Sequence, residues 1–199
     1  MADRNQVSFN QRADGAILRN GIVIFEPGTP RAERVWHEGD IFPSDSGIAD
    51  SLKVSGVTGL TIHVGTLRGG VEDCFDVNNR CSDIELHIAR AEPQGKYVGT
   101  IKGESDNIRV NVEVQAGHGR ESDYDYGNRS EQAKGRTKNC TLRVDASEDG
   151  RAYVRVLHAW RPALTAGPGV RFEVDDRARG WIAALFDLFP IIFGKGKKP

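Results

Sequence analysis

The chain has 199 residues, a length that suits one domain or two small ones. With 38% hydrophobic and 28% charged residues it reads as a folded, water-soluble chain, and its 23 glycines beside a single methionine favour strands and turns over helices. A net charge of −1 excludes binding to nucleic acid through bulk electrostatics.

The N-terminus, Met1 to Gln6, is polar and no apolar h-region follows it, so no secretory leader is expected. The first predicted element is a hairpin. Ala16-Ile17-Leu18-Arg19 and Ile22-Val23-Ile24-Phe25 are apolar runs joined by Asn20-Gly21, the residue pair that a tight hairpin turn requires. It is expected to start or cap whatever follows, because an open sheet end offers unpaired backbone groups.

Internal repetition follows. Leu60-Thr61-Ile62-His63-Val64, Ile84-Glu85-Leu86-His87-Ile88 and Ile108-Arg109-Val110-Asn111-Val112 begin 24 residues apart, each apolar at its first, third and fifth positions. Each follows a polar turn that ends in a residue tolerant of bends, Gly59, Asp83 or Asn107. Upstream of each lies a second short run: Leu52-Lys53-Val54, Phe75-Asp76-Val77 and Thr100-Ile101. A unit of this length cannot bury its own apolar side, so successive units must stack at the ~4.8 Å strand spacing into a continuous interior. The predicted fold is all-β, a parallel β-helix.

A fourth copy begins its apolar run at Leu142, 34 residues after Ile108. The extra residues are placed in a polar loop, Glu121 to Gly135, that projects from one rung and carries Tyr124 and Tyr126. Ala152 to His158 and Val170 to Val174 are further strands. At the C-terminus, Trp181 to Phe193 form a 13-residue apolar stretch interrupted by Asp187 and Pro190 and flanked by basic residues. It is too short to cross a bilayer, and reads as a short capping helix, a docking peptide or an in-plane membrane anchor. The expected division is a hairpin and cap over 1–44, the β-helix over 45–176 and the apolar tail over 177–199. Cys74, Cys81 and Cys140 form no CxxC pair and are expected as buried free thiols in a protein made in a reducing cytosol.

Gly69-Gly70-Val71-Glu72-Asp73-Cys74-Phe75-Asp76-Val77-Asn78-Asn79-Arg80-Cys81-Ser82-Asp83-Ile84 resembles a rung of the pectate-lyase-like right-handed parallel β-helix superfamily. The resemblance covers about residues 45 to 145 and implies the fold more than an activity, since that fold hosts lyases, hydrolases, adhesins and virion proteins. The whole chain is also similar to small β-helix proteins of tailed bacteriophages, with Tyr124 to Gln132 and Val154 to Pro162 contributing to the likeness.

Candidate sites follow from residue type. Glu72, Asp73 and Asp76 are candidate catalytic residues, because adjacent carboxylates can divide the roles of acid and base. The resemblance to polygalacturonases implies a Gly-His-Gly one rung later and an Arg-x-Lys beyond it. Here Gly117-His118-Gly119 lies about two rungs on and no clear Arg-x-Lys follows at a convincing position, so that carry-over fails at two of its three elements. Resemblance to pectate lyases implies a calcium site, to which Asp45, Asp50, Asp73 and Asp76 offer oxygens, with Lys53 or Arg68 as base. His63 and His87 occupy equivalent outward positions beside the ladder Thr61, Glu85 and Arg109, as a metal-binding or pH-sensing pair or as an exposed polar ladder. Tyr124, Tyr126, Trp181, Phe186, Phe189 and Phe193 are candidate binding residues. No cofactor and no resident metal are expected. The expected function is that of a structural, virion-associated protein, a capsid decoration, minor capsid or tail component. Its partners are other virion proteins and copies of itself, with membrane contact by the tail as a further possibility; it is made in the host cytoplasm and located in the virion. The alternative is a lyase or hydrolase of acidic polysaccharide.

Overall fold

A computed structural model describes residues 6–43, 47–127, 137–157 and 161–176. In chain order the strands are β1 (Val7–Gln11), β2 (Ile17–Arg19), β3 (Ile22–Phe25), β4 (Val35–Glu38), β5 (Asp50–Ser55), β6 (Thr58–Arg68), β7 (Asp73–Asn78), β8 (Ser82–Glu92), β9 (Tyr97–Ile101), β10 (Asp106–Gln115), β11 (Tyr124–Tyr126), β12 (Thr141–Ser147), β13 (Arg151–Val156), β14 (Ala163–Ala166) and β15 (Arg171–Asp176). A single 3-10 turn, Arg31–Glu33, precedes β4.

The strands form two sheets. Sheet A runs β15-β13-β11-β9-β7-β5-β1-β2-β3 and sheet B runs β14-β12-β10-β8-β6-β4. All pairings from β5 onward are parallel, and consecutive strands alternate between the sheets, so each rung contributes one strand to each: a parallel β-solenoid. The repeats stack as their spacing predicts. Leu60, Ile84 and Ile108 are in register, as are Ile62, Leu86 and Val110, and Val64, Ile88 and Val112. These side chains are buried in one continuous core. Complete burial of each such residue is worth about 1.5–3 kcal/mol.

The fourth copy is set differently from its expected alignment. Leu142 lies beside Val110, not Ile108. The shift of two positions keeps the same residues facing inward, since strand side chains alternate with a period of two.

The corners repeat as well. Gly59, Asp83, Asn107 and Asn139 adopt φ of +67°, +55°, +53° and +53° just before or at the start of successive sheet B strands. Asn and Asp tolerate this left-handed conformation better than other side-chain-bearing residues. At the opposite corner Gly70 is obligatory, because an added Cβ would lie 2.4 Å from the Ile48 carbonyl oxygen of the preceding rung.

The N-terminal hairpin forms as predicted: β2 and β3 are antiparallel, and Asn20 and Gly21 both take positive φ. β1 and β4 were not legible as strands, yet both lie in parallel register, β1 with β5 and β4 with β6. Cys74, Cys81 and Cys140 are free and buried.

One expectation is overturned here. Tyr124 and Tyr126 do not project in a loop: they are 1% and 2% exposed, on β11 within sheet A. The Tyr-Asp-Tyr segment places two rings inside and a carboxylate outside. Residues 128–136 of the expected loop, and the tail with Trp181, Phe186, Phe189 and Phe193, lie outside the described residues.

Candidate functional site

The outward face of sheet A carries a polar ladder. Ser8, Lys53, Asp76, Thr100, Asp125, Arg155 and Asp175 occupy equivalent positions on successive strands, and inward neighbours such as Val54, Val77, Ile101, Tyr126 and Val156 fill the core. The ladder places Asp76 between lysine and threonine, and the adjoining positions Asp50 and Asp73 pair with each other.

The result is a carboxylate cluster. Asp73 and Asp76 are 3% and 2% exposed. Lys53 Nζ lies 3.5 Å from Asp50 Oδ2 and 3.6 Å from Asp76 Oδ2, and Lys102 Nζ lies 3.2 Å from Asp76 Oδ1. Asn78 Nδ2 donates to Asp76 Oδ2. Thr100 Oγ1 sits 2.9 Å from Asp73 Oδ2 and 2.9 Å from Asp76 Oδ1. A hydroxyl has one proton to give. Both contacts are therefore hydrogen bonds only when one of the two acids is protonated and donates to Thr100, which donates on to the other; Asp73 is the acid whose surroundings favour the proton. The electrostatics agree: burial, then the nearby Asp50 carboxylate, push the Asp73 pKa up to about 7, against the Thr100 contact that lowers it. Asp73 Oδ1 is buried without a partner among the described residues, as is Asn78 Oδ1. An unpaired oxygen costs less on a neutral acid than on a carboxylate.

Glu72 stands apart from this pair. Its carboxylate accepts a hydrogen bond from Lys96 Nζ at 2.8 Å, which holds its pKa below the usual range. The cluster opens on a cleft of about 320 Å³ lined by Glu72, Asp73, Lys96, Tyr97, Thr100 and Lys102 on one side. Its other side is Arg155, whose guanidinium grips Asp125 at 3.1 and 2.8 Å and also reaches Tyr97 Oη. Of the proposed calcium ligands and bases, Asp50, Asp73, Asp76 and Lys53 converge, but both lysines already occupy the positions from which a cation would neutralise Asp76. Arg68 lies elsewhere, bound to Glu92. Asp45 is outside the described residues. Among the described residues, no group of three or more His, Cys, Asp and Glu side chains is disposed to hold a metal ion.

A second cleft, about 450 Å³, adjoins the first and shares Glu121 and Arg155 with it. His118 lines it. Its Nδ1 faces fully buried Asp123 at 3.0 Å and its Nε2 faces Asp149 at 3.1 Å. Asp123 also accepts from Gly119 N and Tyr153 N, so its position is fixed by three neighbours. Burial lowers the His118 pKa, but the two carboxylates outweigh it and the net shift is upward. With both nitrogens engaged, the ring is a clamp between rungs. The sequence singled out His118 only through an analogy that failed; Asp123 and Asp149, the latter in the Glu148-Asp149-Gly150 turn, meet it only once the rungs are stacked.

On sheet B, His63 and His87 are adjacent as expected, and His37 of β4 joins them. The rings stack at 4.7 and 4.5 Å with interplanar angles of 12° and 6°. His87 Nε2 is 3.1 Å from Glu85 and its Nδ1 is 3.3 Å from Asn111 Nδ2. His37 escaped notice because it precedes His63 by 26 residues, outside the 24-residue interval.

No family model matches this chain, and no curated protein and no solved structure matches it.

Proposed function

We propose that the chain is a non-catalytic interaction scaffold, a structural component of a bacteriophage particle that contacts other virion proteins and copies of itself. One observation carries the non-catalytic part. The paired acids that would do acid-base work are almost wholly buried: Asp76 is held by Lys53, Lys102, Thr100 and Asn78, and Asp73 is bonded to Thr100. The exposed carboxylates of the cleft, Glu72 and Glu121, are themselves tied, to Lys96 and to Tyr97 and Arg155. Rung-to-rung bonds recur over the surface at an offset of 24 residues: Lys96 to Glu72, Arg80 to Glu104, Arg68 to Glu92, Asn107 to Asp83 and Asn79 to Ser55. Such a lattice suits a part that must keep its shape while partners bind. The likeness to small β-helix proteins of tailed phages supplies the setting. Density-gradient fractionation of particles, with antibody detection of the chain, tests the reading. Co-sedimentation with particles is expected, and confinement to the soluble lysate would end it.

A second reading, an enzyme acting on acidic polysaccharide, is favoured by one feature: Asp73 carries an unpaired oxygen, titrates near neutrality and lines a cleft with Lys96 and Lys102. A carboxylic acid neutral at pH 7 is what a general acid needs. Unsaturated or reducing products from polyuronates, lost in Asp73→Asn, would replace the first reading by this one. Absence of product from folded protein removes it.

A further inference from the structure

The histidine stack is not used by either reading. It lies at a sheet edge: β4 has four residues, ends sheet B and, among the described residues, pairs only with β6. Trp36 packs on the core from this strand, and Glu38 ties it to Arg19 at 2.6 and 2.8 Å. On its outward face the strand presents His37 to His63, which in turn faces His87.

Neutral imidazoles stack readily; protonated ones repel. The charged and titratable groups around the stack decide whether a proton there is compensated. From β8, Glu85 faces His87 directly and also acts on His63. From β10, Asn111 is neutral and contacts His87, and Arg109 continues the ladder of Glu85 with a positive charge. From β6, Thr61 and Gly65 bring no charge. From β4, Glu38 is turned to Arg19 and Trp36. The Asp40 carboxylate accepts from Thr66 N at 2.6 Å. Glu85 contacts the ring furthest from the edge, and the other outward carboxylate nearby, Glu113 of β10, lies beyond that ring, further still from His37. The shift at the central ring agrees: burial first, then its two imidazole neighbours, hold His63 below its ordinary value.

We propose that His37, His63 and His87 form an acid-sensitive latch: neutral, their stack helps to hold the edge strand β4 on the solenoid, and protonated, it releases β4 and opens the N-terminal edge of sheet B. The class of event is a proton-driven local unfolding, with β4 as the element that has two states. It requires no ligand and is independent of the scaffold reading.

Hydrogen exchange of the β4 amides at pH 7.5 and pH 5, corrected for the intrinsic effect of pH, tests it. Wild-type protection over Val35 to Glu38 is expected to fall about tenfold on acidification, a size set by one imidazole titration in a local opening equilibrium. His63→Asn, which separates the two remaining rings by an extra strand, should show no such fall. His37→Asn alters an exposed position, so it keeps the test valid if the first variant folds poorly, and it too should be flat. An equal loss of protection in wild type and His37→Asn would overturn the latch.

Discussion

Tyr124 and Tyr126 show how two identical side chains in one strand differ in what they contribute. Tyr124 Oη donates to Gln115 Oε1 at 3.0 Å inside the core, and Tyr126 Oη has no partner among the described residues. Removing the first hydroxyl strands a buried acceptor, and removing the second relieves a buried donor. Tyr124→Phe is therefore expected to cost about 1–3 kcal/mol in urea unfolding, and Tyr126→Phe to be neutral or stabilising. Asp73 gives a pH prediction with a definite sign. Its pKa is raised on folding from 3.8 to about 7, so the native state binds the extra proton. Stability is then highest at or below the lower value and falls as pH rises from about 4 through about 7. Asp73→Asn keeps the side-chain volume, can still donate to Thr100 and has nothing to ionise. Its stability relative to wild type should grow across that window, and a constant difference would refute the protonated-acid assignment.

At the scale of the element, the sheet B strands of three successive rungs were legible because one repeat length coincided with strict alternation. The same rule failed where either condition lapsed. β11 is three residues long and its inward side chains are tyrosines, which read as polar and surface-bound; only the register with Gly99 and Ile101 on one side and Val154 and Val156 on the other reveals them as core. β1 and β4 belong to the first rung, whose spacing departs from the repeat. The carboxylate cluster was legible in Asp50, Asp73, Asp76 and Lys53 but not in Thr100 and Lys102, because residues from three rungs converge only once pairing is known. The corners make a testable counterpart. Asn107 sits at φ +53° and its Nδ2 donates to Asp83 Oδ1 at 2.5 Å. Asn107→Ala loses the bond and strains the backbone, for an expected loss of about 1–3 kcal/mol, whereas Asn107→Gly retains the conformation and should recover part of it. Equal losses in thermal unfolding would show that the turn conformation is not what selects the residue.

For the whole molecule, three groups set opposing pH responses. Asp73, raised, favours acid. His118, raised above 6.5 by Asp123 and Asp149, contributes stability below 6.5 that is lost as pH rises through its folded value. His63, lowered from 6.5, works the other way and removes stability as pH falls below 6.5. Local probes at β4 and at the carboxylate cluster should therefore diverge in direction. Both the buried acids and the stacked rings derive from one arrangement, the parallel piling of rungs. Val35 and Ala163, both exposed, end a ladder that runs through Thr61, Glu85, Arg109 and Thr141 on six successive strands of sheet B. Five strand spacings of ~4.8 Å separate them by about 24 Å. Spin labels at Val35→Cys and Ala163→Cys, with the three native thiols buried beyond reach of the reagent, should give one narrow distance within a label's length of that value by pulsed electron resonance. A broad distribution, or a separation far from it in the folded protein, would contradict the stack and with it the sites built upon it.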